Sequence, residues 1–221
     1  MIFWIASIVG LVIAYLLGSL PTGYLAGRLL QGIDIREHGS NSTGATNVLR
    51  TLGKAAAAIV LLVDVSKGVA AVLFARWFYP WFYAYQTESV PTVLNMQVWA
   101  SWAICLAGFA ALIGHGRPIW LGFKGGKSAA TGLGVLLAMS WPVGVAAAAA
   151  FGVVLWVSRI VSLSSMMAAL TAIIFVCSLD QPLPYRLLVI LGGVYVVVRH
   201  RANIRRIWAG AEPRLGQAAL K

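Results

Sequence analysis

Seven apolar stretches, roughly 3–29, 55–79, 97–115, 129–140, 142–158, 162–179 and 184–199, dictate what this chain can fold into. Most are long enough for a helix of about 20 residues to cross bilayer hydrocarbon. In that medium an unpaired backbone N–H or C=O is costly, so an isolated crossing segment must be helical. Hydrophobic residues make up 60% of the chain and charged residues only 10%, which excludes an ordinary soluble globule. The expected fold is all-α and integral to a membrane, with seven transmembrane helices in one domain over 1–221. Two stretches are short because Ser140-Trp-Pro142 interrupts them, so 129–158 reads as two spans or as one bent hairpin.

Charge gives the orientation. With the N-terminus outside, the inner connections hold Arg28, Arg36, Arg50, Lys54, Arg117, Lys124, Lys127, Arg159, Arg199, Arg201, Arg205, Arg206, Arg214 and Lys221. The outer connections, around 80–96, 140–142 and 180–183, hold no lysine or arginine, only Glu88 and Asp180. This asymmetry places the C-terminus and the polar loops in the cytoplasm. The N-terminal stretch lacks a basic leader and a cleavage site and reads as a first span. Trp77, Tyr79, Trp81, Tyr83 and Tyr85 read as an outer interfacial belt. The net charge of +11 is scattered between apolar runs, which suits an anionic leaflet and anionic substrates better than nucleic acid. Cys105 and Cys177 lie inside apolar stretches, so neither a disulfide framework nor a metal-ligand spacing is present, and no metal or cofactor is expected.

Three polar segments carry chemistry. The first, His38 to Arg50, combines two glycines, the hydroxyls of Ser40, Ser42, Thr43 and Thr46, the amides of Asn41 and Asn47, and Arg50. Backbone N–H groups, hydroxyls and a guanidinium in one loop suit an oxyanion or a phosphate. The second, Gly122 to Thr131, sets Gly125-Gly126 between Lys124 and Lys127 and reads as a backbone nest opening onto the next helix. It lacks the spacing of a Walker loop, and lysines snorkelling to lipid phosphates are its plainer reading. The third, Arg199-His200-Arg201-Ala-Asn203-Ile-Arg205-Arg206, reads plainly as a basic stop-transfer tail, except that His200 and Asn203 would share a face at i,i+3 if the last helix continues through them. Ser162 adds a hydroxyl on the same side, and His115 ends the third span. Asp64 and Lys67, at i,i+3, read as a structural ion pair. Gly18-Ser-Leu-Pro-Thr-Gly23 reads as a proline kink, or as a break whose helix end holds the 38–50 loop.

In this order the motifs resemble the bacterial acyl-phosphate:glycerol-3-phosphate acyltransferase family over nearly the whole chain. They are Gly18-Ser-Leu-Pro-Thr-Gly23, Asp34-Ile-Arg-Glu-His-Gly-Ser40, Gly44-Ala-Thr-Asn47 through Arg50, and Asp64-Val-Ser-Lys-Gly68. They continue with Gly114-His115, Gly122-Phe-Lys-Gly-Gly-Lys127, Arg159-Ile-Val-Ser162 and Arg199-His-Arg-Ala-Asn203. The resemblance implies seven helices, an active site at the cytoplasmic face of the inner membrane, and the first acylation of phospholipid synthesis. An acyl group passes from acyl phosphate to glycerol 3-phosphate, giving lysophosphatidic acid and phosphate. It marks Ser40, Arg50, Lys127, Ser162, His200 and Asn203 as substrate-contacting positions, of which Ser40, Arg50 and Lys127 are expected to be catalytic. The loops themselves add Ser42, Gly44, Thr46, Asn47, Lys124, Gly125 and Gly126 as expected substrate-binding residues. Asn41 and Ser128 stand where the family usually has glycine, Ser42 replaces an amide, and Arg117 replaces an aromatic residue.

The residues suit that chemistry. A histidine followed five positions later by an acid would mark a protein base, but Thr43, Trp120 and Arg205 follow His38, His115 and His200. Neither cysteine lies on the motif side, which leaves no thiol acyl-enzyme. Cations and hydrogen-bond donors suit a mixed anhydride whose leaving group is phosphate, and the resemblance implies that the acceptor's own phosphate serves as base, which its second pKa of about 6 allows. The rival reading is a small organic-anion transporter, against which stand the absence of an inverted repeat and the clustering of motifs at one face.

Overall fold

The computed structural model describes residues 2–85 and 96–216. Among these, ten helices follow one another: α1 (Ile2–Ser19), α2 (Thr22–Gln31), α3 (Ala45–Thr51), α4 (Lys54–Tyr85), α5 (Met96–Gly116), α6 (Ala129–Met139), α7 (Trp141–Ser158), α8 (Val161–Ser178), α9 (Leu183–Arg199) and α10 (Arg201–Trp208). Five segments, Trp4–Gln31, Lys54–Phe82, Gln97–Leu121, Trp141–Ser158 and Val161–Ser178, are long and apolar enough to cross a membrane. The pair α9–α10, bent by 57°, makes a sixth. The protein is an all-helical, multi-pass membrane protein.

Two expected spans differ in detail. The stretch 3–29 is two helices, because Pro21 breaks the ladder after Leu20. The Leu20 carbonyl this leaves accepts from Lys67 Nζ at 2.9 Å and from the Thr22 N–H at 3.0 Å. The second span runs on through Pro80 to Tyr85 instead of ending near 79. Stacked pairs at i,i+4, Phe74–Phe78, Trp77–Trp81 and Phe78–Phe82, line that extension. Trp77 and Trp81 are exposed, as a belt requires, but Tyr79 is not part of it. Its side chain is buried in the core and its hydroxyl donates to the Ser7 carbonyl at 3.0 Å. The side chains of Tyr83 and Tyr85, and Glu88 with residues 86–95, lie outside the described set.

Helix α6 is unusual in length. Its 11 residues rise only ~16 Å, about half the hydrocarbon thickness of ~30 Å. At its far end the Met139 carbonyl accepts from Arg76 Nη2 of α4 at 3.0 Å, and Ser140 N–H bonds Leu136 O at 2.8 Å before α7 begins. Ser140 thus separates two helices that share no axis continuity, and α6 stays close to α4 through small residues. A Cβ at Gly134 would overlap the Val65 carbonyl oxygen, and one at Gly68 would overlap the Thr131 carbonyl oxygen. Gly18 and Gly114 do the same for α1 and α5, against backbone atoms of Ala111 and Tyr15. Without a hydrophobic drive between helices in lipid, such backbone-to-backbone approach supplies the packing energy.

The main core lies among α1, α4, α5, α6, α7, α8 and α9, with Val72, Ala107, Val135, Val143 and Val176 buried in it. A second, smaller cluster of Ile35, Val48, Ala56, Ala57 and Val60 seats α3 and a single 3-10 turn (Ile35–Glu37) on the start of α4. That cluster holds the polar 38–50 loop against the bundle.

Gly134→Ala is expected to lower thermal stability in detergent by about 1–3 kcal/mol, because the obstructing atom is backbone. Gly152→Ala in α7, where a Cβ meets open space, should leave the melting temperature unchanged or raise it.

Candidate active site

The three polar segments meet at one end of the bundle, around a cavity of about 320 Å³. Each is held by its own hydrogen bonds. Asn47 knots the first: its Nδ2 donates to the carbonyls of Ile35, His38 and Ser42 at 2.9, 3.0 and 2.9 Å, and its Oδ1 accepts from the Ser40 N–H at 2.7 Å. With so many bonds inside the loop, Asn47 acts as the loop's scaffold rather than as an open donor. The N–H groups of Ser40, Asn41 and Gly44 are likewise taken, by Asn47 Oδ1, His38 O and Ser42 Oγ. The expected contribution of those N–H groups to an oxyanion site is therefore corrected. From this loop Ser40, Ser42, Gly44, Ala45, Thr46, Asn47 and Arg50 line the cavity.

The second segment departs further from expectation. Lys127 lines the cavity, but Lys124 is exposed, and neither Gly125 nor Gly126 lines the cavity. The Gly126 N–H donates to the His115 carbonyl at 3.1 Å, and its own carbonyl accepts from Arg199 Nη2 at 2.8 Å. A Cβ at Gly126 would overlap the His115 ring, and one at Gly125 the His115 carbonyl oxygen. These glycines are needed for close packing on His115, not for an open nest. The loop is thereby fixed so that Lys127 Nζ donates to Asn203 Oδ1 at 2.6 Å.

Both serine and asparagine substitutions at family glycines prove compatible with the backbone. Asn41 adopts φ +54° and Ser128 φ +62°, the left-handed region that favours glycine. Asn41 Nδ2 donates to Arg36 O at 2.7 Å, and Ser128 Oγ to Leu112 O at 2.7 Å, so each side chain offsets its own conformational penalty.

The third segment brings His200 and Asn203 to the cavity together, with Ser162 from α8. His200 Nδ1 lies 2.8 Å from the Val196 carbonyl, which can only accept, so Nδ1 carries a proton and Nε2 is the variable nitrogen. The sequence reading missed Glu212. This buried carboxylate reaches back from the tail, and its Oε1 accepts from Ser162 Oγ at 2.8 Å and Asn203 Nδ2 at 2.6 Å. Its Oε2 accepts from Arg206 Nε at 2.7 Å, while the Leu215 N–H ties the tail to Arg159 O at 2.7 Å. One of only six acidic residues in the chain, set in an arginine-rich tail, was the available signal.

Asp64 and Lys67 do form their ion pair, at 2.8 Å. The structure adds Thr22 Oγ1, which donates to the same Asp64 oxygen at 2.6 Å, and His115 Nδ1 at 3.5 Å. Asp64 and His115 form part of the cavity wall. The break at Leu20–Pro21 thus serves both readings of Gly18–Gly23: Thr22 reaches Asp64, and a Cβ at Gly23 would overlap the Thr43 carbonyl of the polar loop.

Electrostatics at the mouth are strongly cationic. Burial pushes Lys127 down to about 8; Glu212 opposes the shift, and Arg206, Arg50 and Arg199 reinforce it. Burial also lowers Arg50 from its ordinary value, against the pull of Glu212. Burial works against the charge on Glu212, yet hydrogen bonds from Asn203, Ser162 and Arg206 hold its carboxyl below the usual range. Asp64 is paired with Lys67, and Glu212 is one carboxylate against Arg50, Lys127, Arg199 and Arg206, which leaves room for further negative charge. Beyond the mouth the cavity is apolar, running between α6, α7, α8 and α9 past Leu136, Phe151, Ala168 and Val189.

Fold and cavity define the class: a multi-pass membrane protein with a cavity that is cationic at its mouth and apolar along its length, as an amphiphile with an anionic head requires. The family model described as Glycerol-3-phosphate acyltransferase matches residues 8–210. "Glycerol-3-phosphate acyltransferase 2" of Rhizobium johnstonii is 70% identical over 219 residues, covering 99% of this chain and 100% of that protein. "Glycerol-3-phosphate acyltransferase" of a Nostoc species is 54% identical, covering 97% of this chain and 95% of its own. The crystal structure of PlsY (YgiH), an integral membrane glycerol 3-phosphate acyltransferase, in its glycerol 3-phosphate form is similar with a TM-score of 0.78 and 34% identity, covering 95% of this chain and 96% of that one. Its lysophosphatidic acid form is similar with a TM-score of 0.75. The chain belongs to the glycerol-3-phosphate acyltransferase family.

Glu212→Ala is expected to destabilise the protein by about 1.5–3 kcal/mol through the loss of charged hydrogen bonds, with Glu212→Gln intermediate because its amide oxygen still accepts from Ser162 and Asn203. The native carboxyl titrates below the unfolded one. Its contribution is therefore present above the ordinary glutamate range and is lost as pH falls through the lower, folded value. Melting curves at neutral and acid pH check both statements.

Proposed function

We propose that this protein transfers a fatty acyl group from acyl phosphate to glycerol 3-phosphate, releasing phosphate and 1-acyl-glycerol 3-phosphate. The observation that carries the reading is the continuity of one cavity from Arg50, Lys127, His200 and Asn203 into an apolar channel between helices. An acyl phosphate placed there has its chain among α6–α9 and its phosphoanhydride among the cations. The acceptor's primary hydroxyl attacks the acyl carbon, the C–O bond to phosphate breaks, and the hydroxyl proton passes to the acceptor's own phosphate. Arg50 and Lys127 neutralise the phosphates, and the Ser40 hydroxyl is set to donate to the developing oxyanion. Ser162, His200 and Asn203 orient glycerol 3-phosphate, with Ser42, Gly44 and Thr46 shaping the wall opposite.

The same reading includes seven crossings, with the N-terminus outside and the site at the cytoplasmic face of the inner membrane. Support comes from α6 and α7. Lys127 before α6, Arg159 after α7 and Ser162 at the start of α8 all lie at the same end of the bundle. That arrangement supports reading α6 and α7 as a hairpin that goes out and back, despite the shortness of α6. The membrane supplies the donor laterally, and glycerol 3-phosphate arrives from water. A transporter would need a path through the bundle, whereas the cavity ends on packed core.

Purified protein given glycerol 3-phosphate and palmitoyl phosphate should release phosphate and lysophosphatidic acid, and should give none with acyl-CoA or acyl-carrier protein. Arg50→Ala and Lys127→Ala each remove a charged contact to phosphate, about 1.5–3 kcal/mol, and should lower kcat/KM roughly ten- to a hundredfold. No product from any donor, with the protein folded, overturns the reading.

Lys127 must be charged to hold phosphate, so KM in the wild type should rise as pH increases through about 8. Lys127→Arg, which keeps its charge, should abolish that alkaline limb. A KM that is flat with pH in the wild type would remove Lys127 from the phosphate clamp.

A further inference from the structure

Resting on the acyl-transfer reading, we infer that Ala172 of α8, with Ala147 of α7 and Leu188 of α9, forms the floor that sets the longest acyl chain this protein accepts. On α8 the cavity wall descends from Ser162 through Ser165 and Ala168 to Ala172, a depth of ~15 Å at the helical rise. On α9 it descends from His200 through Val196 to Leu188, ~18 Å. One turn further along each helix the wall becomes solid core. Val176 on α8, Val143 on α7, Met139 on α6 and Tyr185 on α9 no longer line the cavity, and all four belong to the buried core. The channel therefore has an end, and its depth is close to half the ~30 Å hydrocarbon thickness, one leaflet of lipid chain.

Its width is equally defined. Ala147, Ala148, Ala168, Ala169 and the pair Gly192-Gly193 line the channel together with Leu133, Leu136, Phe151 and Val189, so small residues leave room for a chain between larger apolar side chains. A slot of this kind admits one hydrocarbon chain and stops it end-on. Transfer from lipid to an apolar slot gains little per methylene, because both media are apolar. Discrimination among donors then comes from steric refusal of the chain that is too long, not from graded attraction.

The register of α8 makes this testable. Leucine at 172 raises the floor, and leucine at 168 raises it four residues, ~6 Å or roughly five methylenes, further toward the head. The experiment measures kcat/KM with decanoyl, lauroyl, myristoyl and palmitoyl phosphate at fixed glycerol 3-phosphate, for the wild type, Ala172→Leu and Ala168→Leu. The expected result for Ala172→Leu is a loss of at least about tenfold with palmitoyl phosphate and wild-type rates with decanoyl phosphate. Ala168→Leu should move the cut-off to shorter donors by one more step. The retained short donor reports that each variant is folded. Equal losses on every donor would assign Ala172 to packing alone and overturn the gauge. An unchanged profile would place the chain elsewhere, such as the lipid-facing groove of Leu16, Leu20 and Val63 between α1 and α4, and would overturn it too. A wild type active with none of these donors fails at the reaction itself, and the gauge falls with it.

Discussion

At several breaks and turns among the described residues, a side chain from another helix takes up a carbonyl that would otherwise be left free. Lys67 answers the break at Leu20, Arg76 the end of α6 at Met139, and Arg199 the glycine turn at Gly126. Asn47 does the same for three carbonyls of the polar loop. In an apolar surrounding each unsatisfied carbonyl would be costly, and irregular backbone is tolerated only when protein groups pair it. The active-site loops depend on this rule, because without these donors neither the 38–50 loop nor the 122–128 loop could hold its shape beside hydrocarbon.

The same donors arrange the charges. Arg199 and the His115 backbone fix the glycine turn, the turn fixes Lys127, and Lys127 meets Asn203, whose amide is oriented by Glu212. Asp64 gathers Thr22, Lys67 and His115 on the facing side of the cavity. Two carboxylates, Asp64 and Glu212, thus organise a mouth that stays cationic. Such a mouth is pre-arranged for phosphate groups, so little reorganisation is needed when they arrive.

Much of this was legible in the residues. The apolar runs marked the helices, and the mixture of hydroxyls, amides and arginine in 38–50 marked the loop that reaches the cavity. His200 and Asn203 both reach the cavity, but not on the continuous helix that their spacing suggested, because α9 ends at Arg199 and the chain bends by 57° before α10. The glycines of 125–126 misled, because a glycine needed for close packing on an imidazole looks the same in sequence as one that opens a nest. Tyr79 misled in a similar way: a tyrosine at the expected depth of an interfacial belt turned inward to a backbone carbonyl of α1. Glu212 carried only its isolation as a signal, since its partners are brought to it by the return of the tail.

By itself the sequence determined the helical, membrane-embedded class and the chemical character of the three loops. Hydropathy and residue type act locally, and lipid leaves helices as the form for these crossing segments. Only the tertiary structure decided which side of each loop faces the cavity, which amide is committed to scaffolding, and how deep the apolar channel runs. Those depend on backbone contacts between helices far apart in the chain, such as Gly134 on Val65 and Gly68 on Thr131, whose geometry no local pattern encodes.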